Sequence, residues 1–444
     1  MSSVSSVIRA SGALLVRGGR VVDPSQGIDD EVDVLIGDDG RVERLSGSIQ
    51  VGEGVEVLDA AGLVVCPGLL DLHVHLREPG QEYKETIESG SRAAAAGGFT
   101  TVACMANTVP VNDCRSVTEH IVRAAQRCGL ARVLPVGAIS KGLRGEELAE
   151  MGDLVSAGVV AFSDDGRPVE HAELMRRALL YARHFGLPVV QHAQDMTVTG
   201  DGAMHEGPSS TRLGVPGVPR LAEDLMVARD LLLAEETGGR YHVQHLSSGR
   251  SVELIREAKA RGVAVTCEVT PHHLLLTDRD VEESGLDPNF KMNPPLRESA
   301  DRDALLAGLL DGTIDFIASD HAPHHVDEKL LDFVASPFGI VGLETTVSLL
   351  LDRLVHAGKI ELGEMIRLLT SAPAKAFGLE LGSLRPGAPG DVTLLDLERE
   401  VTVDPARFQS KSRNTPFAGW RLRGAPVVTV LAGRPIRVEP RPER

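Results

Sequence analysis

No stretch of this chain concentrates positive charge. It carries 46 Lys and Arg against 63 Asp and Glu, for a net charge of −17. It therefore lacks the basic surface that holds a nucleic acid or an anionic membrane. That balance speaks to partners and says nothing about fold. No Cys-x-x-Cys pair occurs: the five cysteines, Cys66, Cys104, Cys114, Cys128 and Cys267, are scattered. They read as reduced, mostly buried thiols of a cytoplasmic protein. Near the N-terminus the only apolar run is 13–16, too short for a signal peptide or an anchor. No low-complexity tract interrupts the chain. What is present is 444 residues with 42% apolar content, enough to bury a large core in an ordinary globular protein.

The richest stretch is 66–80, where Leu69, Leu70, Leu72, Val74 and Leu76 form a nearly continuous apolar run. Such a run predicts a strand buried on both faces. His73 and His75 lie two apart within it. On a strand, positions i and i+2 share a face, so the imidazoles converge on one point, where neutral rings can hold a divalent metal. Glu78, Pro79 and Gly80 then end the strand in a turn. Two core histidines bonded to backbone would give the same pattern, so the motif needs partners elsewhere.

Three regions follow from the pattern. Residues 1–66 show short β-rich runs at 13–16, 20–22, 32–36, 41–45 and 55–65, with Asp38-Asp39-Gly40 as a hairpin signal. Residues 67–381 alternate strands with amphipathic helices. The strands are expected at 69–75, 100–105, 132–138, 159–163, 188–192, 241–245, 264–269 and 314–319. Helical faces are carried by Val117, Ile121, Ala124 and Cys128, and by Leu174, Ala178, Tyr181 and Phe185. Eight strands with intervening helices predict an α/β fold, a (β/α)8 barrel with insertions. A helix near 364–377 precedes a Gly- and Pro-rich boundary at 382–390. The tail, 382–444, is β again at 392–395 and 427–431. The two terminal regions are expected to pack as one small β-sandwich-like domain.

Catalytic groups of such a barrel lie at the C-terminal ends of its strands. His73 and His75 close the first strand, Asn107 follows the second, and Asp164 and Asp165 follow the fourth. His192 ends the fifth, His245 the sixth, Asn293 lies after the seventh, and Asp320 ends the eighth. Four histidines and two aspartates at one rim exceed the needs of a single tetrahedral zinc. Two metals sharing a bridging carboxylate and a bridging hydroxide fit better.

Four motifs carry a resemblance: His73-Val74-His75-Leu76-Arg77, Met105-Ala106-Asn107-Thr108, Asn293-Pro294-Pro295-Leu296-Arg297 and Ala318-Ser319-Asp320-His321-Ala322-Pro323-His324. Together they resemble the amidohydrolase superfamily. Ser319 to His324 with Lys329 beyond, and Ser336-Pro337-Phe338-Gly339-Ile340-Val341-Gly342-Leu343-Glu344, are more closely similar to bacterial class I dihydroorotase. The chain departs from that pattern at Ala106, where proline is expected.

The resemblance implies reversible cyclisation of N-carbamoyl-L-aspartate to L-dihydroorotate in pyrimidine biosynthesis, with two zinc ions per subunit. His73, His75, Asp165 and Asp320 would hold one ion. Asp165, His192 and His245 would hold the other, with Asp165 and hydroxide as bridges. Asp320 would move the proton. Arg77, Asn107 and His324 would meet the substrate carboxylate, and Asn293 with the Phe338–Gly339 backbone the pyrimidine ring. His75 also lies within reach of the substrate. His205, His272, His273, His321 and His325 are left outside the ligand set. The segment 326–335 reads equally as a lid or a surface loop.

A homodimer and an association with aspartate carbamoyltransferase are also expected. Two alternatives differ in kind. Hydantoinases and allantoinases usually bridge their metals with a carboxylated lysine, which the fourth strand lacks; Lys141 lies in a loop. A non-catalytic barrel scaffolding the transferase would have lost metal ligands, and this chain keeps all six.

Overall fold

The computed structural model describes residues 12–436. The fold is α/β. Two sheets of parallel strands form its centre. One contains Leu69–Val74, Phe99–Cys104 and Arg132–Pro135; the other contains Val189–Gln191, Tyr241–Val243, Val265–Val269 and Phe316–Ile317. Between them runs the segment expected as a fourth strand, 159–163. It is extended but forms a bridge only at Phe162, which pairs with Gly137 on one side and Val189 on the other. Backbone hydrogen bonds nonetheless join it to both sheets: Val160 N donates to Pro135 O, Gly137 N to Ala161 O and Ser163 N to Gly137 O on one side, and Phe162 N donates to Pro188 O and Val190 N to Phe162 O on the other. A further bridge joins Val74 to His321, where His75 N donates to His321 O at 2.8 Å.

The first parallel strand is buried throughout, as its composition predicts. Its two faces meet different cores. Leu70 and Leu72 pack with Met105, Val136, Val190, Phe316 and Phe377. Leu69, Val74 and Leu76 pack with helix residues including Ile87, Ala93 and Ile121. Strict alternation would put Val74 beside Leu72. Instead Asp71 and Val74 pair with Val102 and Cys104, so three steps on one strand oppose two on its neighbour. This bulge reverses the alternation, and His73 and His75 thereby face the side that Leu70 and Leu72 occupy.

The surrounding helices obey their sequence signals, with two corrections. Arg115–Cys128 buries Val117, Ile121, Ala124 and Ala125 and ends at Gly129, whose φ of +59° suits glycine. Ala172–Phe185 buries Leu174, Met175, Ala178, Leu179 and Ala182, but Tyr181 is exposed. Tyr181 and Phe185 lean on each other at 5.2 Å and cover Gly152 of the helix Met151–Ala157. The single helix expected at 364–377 is two, Leu362–Leu369 and Ser371–Phe377, broken at Thr370 (φ −131°, ψ −89°) ahead of Pro373. No described helix is long and apolar enough to cross a membrane.

The ends of the chain meet in one six-stranded sheet. Its order is Arg434–Ile436, Arg421–Leu431, Val392–Thr402, Val64–Pro67, Arg20–Asp23 and Ile28–Glu31. The run expected at 55–65 is divided. Glu56–Asp59 belongs to a four-stranded sheet with Leu14–Arg17, Asp33–Ile36 and Val42–Ser46. The hairpin at Gly40 joins Asp33–Ile36 to Val42–Ser46. All five cysteines are free, and Cys66, Cys104 and Cys267 are buried.

Phe162 is fully buried and supplies both bridges across the gap between the parallel sheets. Phe162→Ala is expected to cost about 3–5 kcal/mol of stability, measured by urea denaturation. A cost of under about 1 kcal/mol, the scale of a surface change, would contradict the placement of its side chain in the core.

Candidate active site

His73 lies near the end of the first parallel strand, the other five expected metal ligands follow a parallel strand or its equivalent, and all six are buried. His73, His75 and Asp320 present ligand atoms to one another, as do His73, Asp165 and His245. His75 Nε2 lies 3.1 Å from Asp320 Oδ1, and His73 Nε2 lies 3.4 Å from the same oxygen. Asp165 faces both groups. Its Oδ2 is 3.3 Å from His75 Nε2; its Oδ1 is 3.6 Å from His73 Nε2, 3.8 Å from His192 Nδ1 and 3.9 Å from His245 Nε2. His192 Nδ1 and His245 Nε2 approach to 2.8 Å, so at most one proton fits between them.

The electrostatics match that crowding. Burial alone would raise the Asp165 carboxyl, but His73, His75 and His192 hold it well below its usual range. Burial pulls the His73 imidazole down, yet Asp320, Glu268 and Asp165 outweigh it and hold it well above its ordinary value. Burial, with His192 and His73 nearby, keeps His245 well below its ordinary value and hence neutral, the form that ligates. Imidazole and carboxylate donors without thiolate suit a borderline divalent cation. The residues present therefore fit a metal ion. Arg77, His245 and Asp320 also have φ values of 59°, 29° and 45°, a region side-chain-bearing residues enter at a cost of about 1–3 kcal/mol.

The partners of these ligands lay largely beyond sequence reasoning. Glu268, in Val265–Val269, places Oε1 2.5 Å from His73 Nδ1 and Oε2 3.2 Å from His242 Nε2. Burial would raise this carboxyl, but His73 and His242 hold it down to about 2. It thereby commits His73 Nδ1 and leaves Nε2 for the cluster. The signal available was an acidic residue in an otherwise apolar strand. Asn107 does the same for the second histidine: its Oδ1 is 3.0 Å from His75 Nδ1, while its amide nitrogen is 3.4 Å from Asp165 Oδ2. Ala106, fully buried, leaves that side chain free to do so. Asp164 points away. It accepts from Ile139 N, Ser140 N and the Ser140 hydroxyl, with burial pushing its carboxyl up to about 6. Lys141 pairs at 3.5 Å with Glu147 and with Glu150, outside the cluster.

The other expected residues are also placed. Arg77 is buried, and its Nε donates to Pro323 O at 3.2 Å. The His324 ring meets Lys84 Nζ at 3.3 Å; burial, with Arg77, Lys84 and Lys329 around it, keeps that ring neutral. Asn293 turns its amide to Gln194 Oε1 at 2.7 Å and His192 Nε2 at 3.1 Å, leaving its buried Oδ1 without a partner. Phe338 lies under Lys291 Nζ at 4.4 Å from the ring centroid. Of the histidines left aside, His273 bonds Thr270 and Pro294 O, and its ring lies 4.6 Å from that of His272. His321 meets Glu85, and His325 caps the short helix Val326–Lys329. His205 joins Glu298 and Asp301 in a third group of possible ligands, but Arg297 and Arg220 already engage it.

The comparisons with known proteins bear on this site. A family described as dihydro-orotase-like matches residues 62–251. Dihydroorotase from Citrifermentans bemidjiense is 53% identical over 421 residues, covering 95% of this chain and 98% of the relative. Dihydroorotase from Anaeromyxobacter dehalogenans is 54% identical over 434 residues, covering 98% and 100%. The chain belongs to the dihydroorotase family. Among solved structures, the L-hydantoinase (dihydropyrimidinase) of Arthrobacter aurescens aligns at a TM-score of 0.86 and 28% identity over 95% of each chain. Dihydroorotase membership thus comes with a backbone that hydantoinases share.

In this dihydroorotase-family site, removing the charge that orients His73 should weaken metal binding. Glu268→Gln is expected to lower metal affinity about 10–100-fold, read by chelator competition. Wild-type affinity in that variant would place Glu268 outside the metal site's support.

Proposed function

We propose that this chain catalyses the reversible cyclisation of N-carbamoyl-L-aspartate to L-dihydroorotate with release of water, as a class I enzyme of the family. It is a hydrolase of cyclic amides. The observation that carries the reading is Asp165, whose two oxygens face the two histidine sets with no lysine between them. It is supported by 53–54% identity to dihydroorotases over nearly the full length of the chain. The bridges through Phe162 and Val74–His321 support a closed (β/α)8 barrel at 67–381. The shared terminal sheet supports a small domain from 1–66 and 382–444, whose outermost residues lie outside the described ones.

Two zinc ions are the proposed cofactors. His73, His75, Asp165 and Asp320 would hold one, and Asp165, His192 and His245 the other. When bound, they supply Lewis acidity to a carbonyl and lower the pKa of water within reach. Asp320 takes the proton from the water that attacks the ring amide and delivers it to the departing nitrogen. In the biosynthetic direction it accepts the ureido nitrogen's proton. His75 lies beside Asp320 at the substrate's edge. Arg77 offers a planar fork to the substrate carboxylate, with Asn107 and His324 beside it. Asn293, through its unpartnered oxygen, and the Phe338–Gly339 backbone face the ring. A cytoplasmic homodimer and association with aspartate carbamoyltransferase complete the proposal.

The deciding experiment is metal analysis beside assays on dihydroorotate, hydantoin and allantoin. Turnover of dihydroorotate alone is expected, and Asp320→Asn should lower it at least about a hundredfold in a fully metallated sample. Preference for hydantoin or allantoin would move the chain to a neighbouring activity. Arg77→Lys keeps the charge and loses the fork, so kcat/KM should fall by about one to two decades, equivalent to roughly 1.5–3 kcal/mol. An unchanged kcat/KM would remove Arg77 from the pocket.

A further inference from the structure

The backbone carbonyls of Ser336, Pro337 and Gly339 are each held by a side chain from elsewhere in the chain. Lys291 Nζ donates to Ser336 O at 2.7 Å and to Val334 O at 2.8 Å. Lys329 Nζ donates to Pro337 O at 2.8 Å and to Pro288 O at 2.9 Å. The His324 ring lies against Gly339, close enough that a side chain there would come within 2.9 Å of its Nε2. Asn414 Nδ2 donates to Gly339 O and to Ala322 O, both at 2.9 Å, while its Oδ1 accepts from His324 N at 3.2 Å. Gly339 N donates in turn to Lys291 O at 2.9 Å.

This arrangement is costly, which argues that it has a use. Lys291, Lys329 and Asn414 are all buried. Neither lysine has a carboxylate within ion-pair distance among the described residues. Burial lowers Lys291 to about 8; burial, with the Lys291 charge beside it, lowers Lys329 to about 7. An ammonium taken out of water without a counter-ion is unfavourable unless its hydrogen bonds are met, and here backbone carbonyls meet them. The packing leaves no slack. A side chain at Gly339 (φ +149°) would lie 2.7 Å from Ala322 O and 2.8 Å from His324 Cδ2.

We propose that Lys291, Lys329 and Asn414 are positioning residues for the dihydroorotase reaction, fixing 336–339 and His324 as one rigid wall of the substrate pocket. The proposal rests on the functional reading above and adds residues from two other segments to it. A wall ordered beforehand binds substrate without the entropic cost of ordering it on arrival. Because Asn414 comes from the C-terminal region, the pocket depends on that region although no metal ligand lies there.

The test uses the full-length, metal-loaded chain with Lys329→Met, Lys329→Arg and Asn414→Ala. Lys329→Met and Asn414→Ala should raise KM for dihydroorotate on the order of tenfold, with kcat and metal content little changed. Amide hydrogen exchange should quicken at 333–341 in the same variants. Lys329→Arg, which keeps charged donors, should recover part of the KM. A fall in kcat or in Tm with KM unchanged would mark a merely structural role and overturn the proposal, as would unchanged exchange at 333–341. If the wild-type chain does not act on dihydroorotate, the functional reading fails by itself, and the exchange measurement alone judges the wall.

Discussion

A carboxylate removed from water needs positive charge close by, and this protein buries two of them, Asp165 and Asp320, among four imidazoles. Much of the surrounding structure answers that requirement. Glu268 and Asn107 turn His73 and His75 so that the free nitrogen of each faces the carboxylates. His192 and His245 approach so closely that at most one proton lies between their facing nitrogens. Such a cluster is unfavourable alone and becomes favourable around a cation, which is the coupling between metal binding and folding stability.

Its geometry depends on one extra residue. Without the bulge between Asp71 and Val74, the alternation that buries Leu70 and Leu72 inward would turn His73 and His75 toward the helices. The strand thus has an apolar layer and a layer of imidazoles able to hold a metal on the same side, which a regular strand with this sequence could not provide.

The sequence made the candidate ligands legible because each is a polar residue at the end of an apolar run, a local signal. It made the strand order and most helices legible for the same reason. What it could not show depends on distant partners. The bulge is a relation between two strands, invisible in either alone. Glu268 looks like any acid until the fold brings it to His73, Lys291 and Asn414 look like surface residues until their carbonyl partners meet them, and Lys329, although part of a motif, shows its role only beside Pro337 O. The segment at 159–163 was apolar enough to suggest a strand, and it is extended and hydrogen-bonded to both neighbours, although its formal bridges fall at Phe162. Tyr181 kept helical spacing and still faces outward, because its ring covers a neighbouring helix and not the centre.

The shared terminal sheet has a consequence for how the chain comes into being. Val64–Pro67 precedes the first metal-ligand strand directly, yet its antiparallel neighbour is Val392–Thr402. During synthesis that edge stays unpaired until more than three hundred further residues have been made, at about 5–20 residues per second. Arg132 of the third parallel strand likewise waits for Asp391. The N-terminal strands, with His73 and His75 just after them, thus emerge early from the ribosome but are locked late. The interval between is when an open strand edge is exposed to other chains.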